Sequence, residues 1–160
     1  MYWGEAVLIS EMLRLYPEQQ YVLAPADYYY LDCGFGDPFG GDSWCDPMKT
    51  WWRIYSFEVS DYVQGSAALG AEVPVWSEIM NEDAVMQKTW PRAAAMADKH
   101  WGPKVETDLA AITRRQIHFR EYLNSRGMAG TFISGRWCEE YPEYCFAPNI
   151  PPSEPVMQEF

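Results

Sequence analysis

Apolar positions near the start of the chain recur with a helical period. In residues 5–16, EAVLISEMLRLY, Ala6, Ile9, Leu13 and Tyr16 share one face with Met12 alongside, and Pro17 ends the run. The next apolar stretch is too short for a helix. Tyr21-Val22-Leu23-Ala24, stopped by Pro25, has the continuous apolar character of a strand covered on both faces. Residues 28–45, YYYLDCGFGDPFGGDSWC, begin like a strand and pass into a loop that runs to about Lys49. Residues 50–57, TWWRIYSF, fit a short helix or an extended segment, and the pattern does not decide between them. A small-residue stretch from Gly65 to Gly70 leads into a second expected strand, Glu72-Val73-Pro74-Val75-Trp76.

The second half of the chain has a helical character. SEIMNEDAVMQKT is expected to be a loop, after which Pro91 opens a helix at the position where its missing N–H costs nothing. Ala93, Ala94 and Ala95 favour that helix and close packing on it. Residues 108–126 form the longest expected helix, with Leu109, Ile112, Phe119 and Leu123 as its apolar stripe and Gly127 as its stop. From Gly130 onward the chain is Pro-rich, and a stapled excursion followed by a loose tail is expected. Helix, strand, loop, strand, helix, helix implies parallel βαβ construction in the α/β class. Two strands cannot close a sheet of that kind, so the chain is expected to be a piece of a larger domain.

Composition narrows the function. The chain has 160 residues, 48% of them apolar, so disorder is excluded as its general state. Eight Trp and eleven Tyr exceed what a core of this size needs, and such side chains suit sugar rings, flat ligands or protein interfaces. A net charge of -11 argues against nucleic acid as a partner. No apolar run reaches the ~18 residues of a membrane span. Met1 leads directly into Tyr2-Trp3-Gly4-Glu5, without the basic and apolar regions of a secretory leader.

The cysteines form two local pairs, Cys33 with Cys45 and Cys138 with Cys145, each enclosing a short loop in the manner of a disulfide staple. Zinc is the competing reading. The two histidines, His100 and His118, stand at no metal-ligand spacing from either pair, so no metal is expected. Two disulfides imply an oxidising compartment. Set beside the missing leader, they reinforce the expectation that a preceding segment belongs to this chain.

Four stretches carry a family resemblance when taken in order: YYYLDCGFGDPFGGDSWCDPMKTWWRIYSFEV, GAEVPVWSEIMNED, TWPRAAAMADKHW and RGMAGTFISGRWCEEYPEYC. Together they resemble the C-terminal part of the β-N-acetylhexosaminidases of glycoside hydrolase family 20, the fungal and insect forms above all. The resemblance implies a (β/α)8 TIM barrel with its site at the C-terminal ends of the strands. Residues 1–146 would be the portion holding strands six to eight, and 147–160 a Pro-rich tail. Met1–Gly4 would be the stub of strand six, Tyr21–Ala24 strand seven and Val73–Trp76 strand eight.

The resemblance also assigns roles by position. Tyr30 matches the tyrosine that bonds the substrate's acetamido oxygen, and Asp32 a carboxylate that binds a sugar hydroxyl, O6 by its place. Trp76 matches the platform under the ring at the cleavage site, and Glu78 the carboxylate that grips O4 and O3. Trp44 resembles an aromatic of the neighbouring sugar subsite, and Trp3 one wall of the acetamido pocket. Taken singly these residues have plainer readings. A lone Trp76 is more often core than platform. Asp32 could cap a turn, and Glu78 could be a solvated acid. Arg92, just after Pro91, is expected to be structural and paired with a nearby acid.

Family members use the substrate's own 2-acetamido oxygen as nucleophile, an exception to the scheme with two protein carboxylates. Their general acid, a Glu preceded by Asp on strand four, and a sugar-binding Arg near strand one match nothing in this sequence. Glu82-Asp83 and Glu139-Glu140 read as solvated acids, not substitutes. Asp98-Lys99-His100-Trp101 departs from the family's Glu-Arg-Leu-Trp, Ala71 stands where Gly is usual, and the Cys33–Cys45 loop is short.

The expectation is therefore a β-N-acetylhexosaminidase segment acting on glycans ending in N-acetylglucosamine or N-acetylgalactosamine, or on chitooligosaccharides. No cofactor is implied. The setting would be extracellular or vacuolar-lysosomal, and the chain's partners would be the N-terminal half of the barrel and, in the full-length enzyme, a second copy. Two other readings stand beside it: a non-catalytic carbohydrate-binding or regulatory module, and a piece that works only beside a separately encoded N-terminal half. Counting free thiols on the denatured, unreduced chain is expected to find none. Four reactive thiols would overturn both staples and the compartment argument.

Overall fold

The computed structural model describes residues 1–37, 39–63, 67–102 and 106–145. The expected tail, 147–160, lies outside the described residues. The first helix forms where the pattern places it, as a 3-10 turn at Ala6–Leu8 continuing into α1 (Ile9–Leu15). Ala6 and Ile9 are buried, Met12 and Leu13 pack against the core, and Tyr16 at the end of the face is exposed.

β1 (Tyr21–Leu23) is the centre of the sheet. On one side it pairs in parallel with β2 (Ala68–Ala71), Tyr21 facing Ala68 and Leu23 facing Ala71. On the other, Tyr2 forms a parallel bridge with Leu23: the Tyr2 N–H donates to the Val22 carbonyl at 3.0 Å and Ala24 N–H to the Tyr2 carbonyl at 2.9 Å. Covered from both sides and both faces, Leu23 and Ala24 are fully buried, as a continuous apolar strand requires.

The second strand is not where composition suggested. Pairing runs over Ala68–Ala71, whereas Val73–Trp76 is extended but outside the ladder. Pro74 has no N–H to donate, which disfavours a ladder across it despite its β-branched neighbours. Its carbonyl instead accepts the Leu31 N–H at 3.0 Å. The tyrosine run is also not strand. It enters α2 (Ala26–Tyr29), a single helical turn in which the Pro25 carbonyl accepts the Tyr28 and Tyr29 N–H groups.

The undecided TWWRIYSF segment is helical as α3 (Trp51–Tyr55), capped by the Thr50 side chain, which accepts from Arg53 N–H. The expected loop before Pro91 contains α4 (Glu82–Thr89). Its N-terminus is capped by Asn81, whose side chain accepts from Ala84 N–H at 3.1 Å, with Glu82 and Asp83 in the first turn where the helix end is positive. α4 buries none of its residues, so no apolar stripe marks it.

α5 (Arg92–Trp101) starts directly after Pro91, and α6 (Leu109–Ser125) starts at Asp108, whose side chain accepts from Ala110 N–H. In α6 Ile112 and Leu123 are buried, Leu109 packs against the core, and Phe119 meets Trp90 at 6.0 Å. Gly127 follows with φ +78, the left-handed stop its residue type permits. Short helices α7 (Arg136–Glu140) and α8 (Pro142–Cys145) carry the Cys138–Cys145 disulfide. Among the described residues no helix is long and apolar enough to cross a membrane.

The core lies between the sheet, α3 and α5 and is built on aromatic contacts. Phe57 is fully buried, its ring 4.9 Å from that of Tyr28, 5.1 Å from Tyr29 and 5.4 Å from Tyr62. Around it the α5 side chains fix the tyrosines: His100 Nε2 lies 2.8 Å from the Tyr29 hydroxyl, and Lys99 pairs with Glu58 at 3.0 Å. Truncating Phe57→Ala is expected to cost ~3–5 kcal/mol. Urea unfolding followed by fluorescence measures this, and a loss below about 1 kcal/mol would show that the cluster is not the core's centre.

Candidate functional site

The two parallel strands run the same way, so the segments leaving them emerge at one end of the sheet. Tyr30-Leu31-Asp32 follows α2 beyond β1, and Trp76-Ser77-Glu78 lies beyond β2. The bond from Leu31 N–H to the Pro74 carbonyl ties them together. Between them and the following loop opens a concavity of about 420 Å³ lined by Tyr30, Asp32, Trp44, Trp76 and Glu78. Five of the six expected site residues therefore meet. The sixth, Trp3, does not line it; its half-exposed ring stands edge-on to Trp76 with centroids 6.4 Å apart.

Burial sorts these side chains into floor and rim. Tyr30 and Asp32 are buried, whereas Trp76, Glu78 and Trp44 are exposed, Trp44 to 78%. The Trp44 ring lies edge-on to Tyr30 at 5.8 Å. The loop that carries it is fixed at its ends by the Cys33–Cys45 disulfide, the pairing expected from spacing. Gly34, at φ +83, passes so close to Met48 that an added Cβ would lie 1.9 Å from its backbone nitrogen, so only glycine fits. Phe35 is held from α4, with Lys88 Nζ 3.8 Å above its ring. Asp32, Cys33 and Cys45 bring ligand-type atoms within 4.8 Å of one another, but both sulfurs are already joined in the disulfide.

Asp32 is the electrostatic focus. Its Oδ1 is buried and has no hydrogen-bond partner among the described residues, a state that Asp46 Oδ1 shares. Burial raises its carboxyl above the ordinary range, Glu78 adds to the rise, and the backbone N–H groups of Asp32 and Trp76 with the charge of Arg92 oppose it. Burial likewise raises the Tyr30 hydroxyl, opposed by a hydrogen bond from the Trp76 side chain. Tyr30 is thus a protonated hydroxyl at neutral pH, beside the Asp32 carboxyl.

Arg92 corrects one expectation. It is buried and structural, but its hydrogen bonds go to carbonyls, not to an acid: Nη1 to Lys49 at 2.9 Å and Nη2 to Leu31 and Lys88. Sequence reasoning also missed Asp37, Ser43 and Ile79, which line the concavity between the staple and Trp76. The staple itself was the available signal for the first two, since a loop closed at Cys33 and Cys45 must present its middle on one side.

A ligand position at the carboxyl ends of parallel strands is the general arrangement of α/β enzymes. The chain belongs to glycosyl hydrolase family 20: the family model "Glycosyl hydrolase family 20, catalytic domain" matches residues 1–104. It is 34% identical over 154 residues to Beta-hexosaminidase 1 of Coccidioides posadasii, covering 78% of this chain and 26% of that protein. It is 31% identical over 129 residues to the chitooligosaccharidolytic beta-N-acetylglucosaminidase of Ostrinia furnacalis, covering 79% of this chain and 22% of the relative. The solved family 20 beta-N-acetylhexosaminidase of Streptomyces coelicolor shares the fold with a TM-score of 0.66 at 24% identity, over 83% of this chain and 28% of that one. The chain thus spans about a quarter of the length of the curated relatives it matches.

The raised carboxyl of Asp32 has a consequence for stability. Below the ordinary aspartate value of ~3.9 the group is protonated both folded and unfolded. As pH rises past it, the unfolded chain releases the proton first, and the folded state's advantage is lost as pH passes the raised native value. Asp32→Asn removes the buried charge while keeping the shape. Its melting temperature is expected to gain on the wild type as pH is raised from about 3.5 to 7. Scanning calorimetry across that range tests this, and parallel curves for the two proteins would contradict it.

Proposed function

We propose that residues 1–146 are the portion of a (β/α)8 barrel around strands six to eight, supplying the sugar-holding side of a β-N-acetylhexosaminidase site. Strand six would be the segment bridged at Tyr2, strand seven β1, and strand eight β2, which begins earlier than composition suggests and leads to Trp76. The observation that carries the reading is the convergence of Tyr30, Asp32, Trp76 and Glu78 on one concavity, with a buried Asp32 oxygen lacking a partner.

Each side chain then has a task fitted to its chemistry. The exposed Trp76 face covers the apolar C–H face of the terminal sugar ring. Asp32 and Glu78 accept from hydroxyls on opposite sides of the ring and fix its orientation. The Tyr30 hydroxyl donates to the 2-acetamido oxygen, holding it against the anomeric carbon it attacks and stabilising the oxazolinium ion that follows. Trp44 at the rim meets the second sugar. The acids of this concavity, Asp32, Asp37 and Glu78, hold the substrate, and proton transfer to the leaving group is assigned to none of them. The two disulfides support an oxidising setting, extracellular or vacuolar-lysosomal.

The 160-residue chain is expected to bind N-acetylglucosamine more tightly than glucose in a calorimetric titration, and to release no aglycone from an aryl N-acetylglucosaminide. Trp76→Ala is expected to weaken binding by roughly tenfold. Equal affinity for glucose would remove the acetamido contact, and no binding at all would sink the sugar site. Turnover by the chain would overturn the assignment of its acids to binding alone, whereas binding without turnover is also what the carbohydrate-binding-module reading requires.

A further inference from the structure

Two buried cations lie behind the rim of the concavity, and their hydrogen bonds end on backbone carbonyls. Lys49 is 3% exposed, and its Nζ donates to the Cys45 carbonyl at 2.5 Å and the Pro47 carbonyl at 2.6 Å. Arg92 is 4% exposed, holds the Lys49 carbonyl through Nη1, and holds the Leu31 and Lys88 carbonyls through Nη2. Burying an ammonium is costly, and an apolar side chain of like size commonly serves stability as well or better. Burial in fact pulls the Lys49 ammonium down to about 8, with Arg53 adding to the fall and Asp27, Asp46 and Asp32 opposing it. A cation kept in such a place acts through what its donors fix.

What they fix are the residues flanking the site. Cys45 directly follows Trp44, and Leu31 directly precedes Asp32. Trp44 has little packing of its own: it is 78% exposed, with its edge-on contact to Tyr30 at 5.8 Å. The disulfide fixes where Cys45 lies, but a single Cβ–S–S–Cβ link does not set the peptide planes on either side of it. The turn around Trp44 closes on itself, Asp46 N–H donating to the Ser43 carbonyl at 3.1 Å, and the two carbonyl bonds from the ammonium seat that turn from its C-terminal side by orienting the Cys45–Asp46 and Pro47–Met48 peptides. We propose that Lys49, backed by Arg92, is a positioning residue that sets Trp44 against Tyr30 and thereby fixes the spacing between the first and second sugar positions. The sugar positions rest on the function proposed above, and the placement of Trp44 does not.

The test therefore has two arms. The chain labelled with 5-fluorotryptophan gives ¹⁹F signals from eight Trp residues, that of Trp44 being assigned by its disappearance in Trp44→Phe. In the wild type its resonance is expected to differ from that of free 5-fluorotryptophan, despite the ring's exposure. Coincidence of the two would overturn the proposal without any Lys49 variant. In Lys49→Met the Trp44 signal is expected to move toward the free value while the others hold. If it stays, or if all signals move together as in general loosening, the proposal is overturned.

The second arm compares N-acetylglucosamine with its β-1,4-linked disaccharide. The wild type is expected to prefer the disaccharide by roughly tenfold, and Lys49→Met to lose that preference with its monosaccharide affinity unchanged. Combining Lys49→Met with Trp44→Ala is expected to cost no more than Trp44→Ala alone, whereas additive losses would contradict a shared role. A wild type that binds neither sugar sinks the function proposed above, and the fluorine signals still decide the placement of Trp44.

Discussion

One backbone hydrogen bond does more for the site than its modest energy suggests. The Leu31 N–H reaches the Pro74 carbonyl at 3.0 Å, just past the point where the parallel ladder of β1 and β2 stops. Leu31 is fully buried between Tyr30 and Asp32, so fixing its amide aims the side chains on either side of it. Pro74 offers a carbonyl and no competing N–H, which makes it a one-way partner. It stands two residues before Trp76 and four before Glu78. With the bonds of the Trp76 backbone to Asp32 and of its side chain to Tyr30, the Leu31–Pro74 bond joins the two halves of the concavity.

The loop between the halves is fastened by different means, each suited to its composition. A glycine-rich stretch cannot hold a shape through side-chain packing, and its backbone entropy is high. The Cys33–Cys45 bond removes much of that entropy from the unfolded chain. Gly34 against Met48 and Phe35 under Lys88 seat the first turn, while Lys49 seats the last. The middle, where Asp37 and Ser43 line the concavity, is left free of the core.

The sequence showed those parts of the fold whose signals are local. Periodicity marked α1 and α6, Pro91 and Gly127 marked helix ends, and spacing paired the cysteines. It failed where tertiary pairing overrode composition. Ala68–Ala71 has poor strand character and lies in the ladder, while Val73–Trp76 has good strand character and does not. α4 escaped because a helix that buries nothing has no stripe, although Asn81-Glu82-Asp83 is a legible helix start. The site followed the same division. Tyr30, Asp32, Trp44, Trp76 and Glu78 could be named because they match a family pattern. Lys49 could not, because a lysine in a polar loop looks solvated until the fold encloses it.

The stability of the site is unevenly distributed. Carbonyls around it are satisfied by Lys49 and Arg92, and the tyrosines below it by the Phe57 cluster and His100. Against this background Asp32 stands out as a buried acid with an unpartnered oxygen and a carboxyl shifted toward the neutral form. The same fold that meets the needs of two cations leaves Asp32 Oδ1, like Asp46 Oδ1, without a donor among the described residues. A buried carboxylate oxygen without a donor is destabilising, and a donor reaching it from the concavity would remove that cost. On the function proposed above, the binding energy at Asp32 would include the relief of a burial penalty as well as a new hydrogen bond.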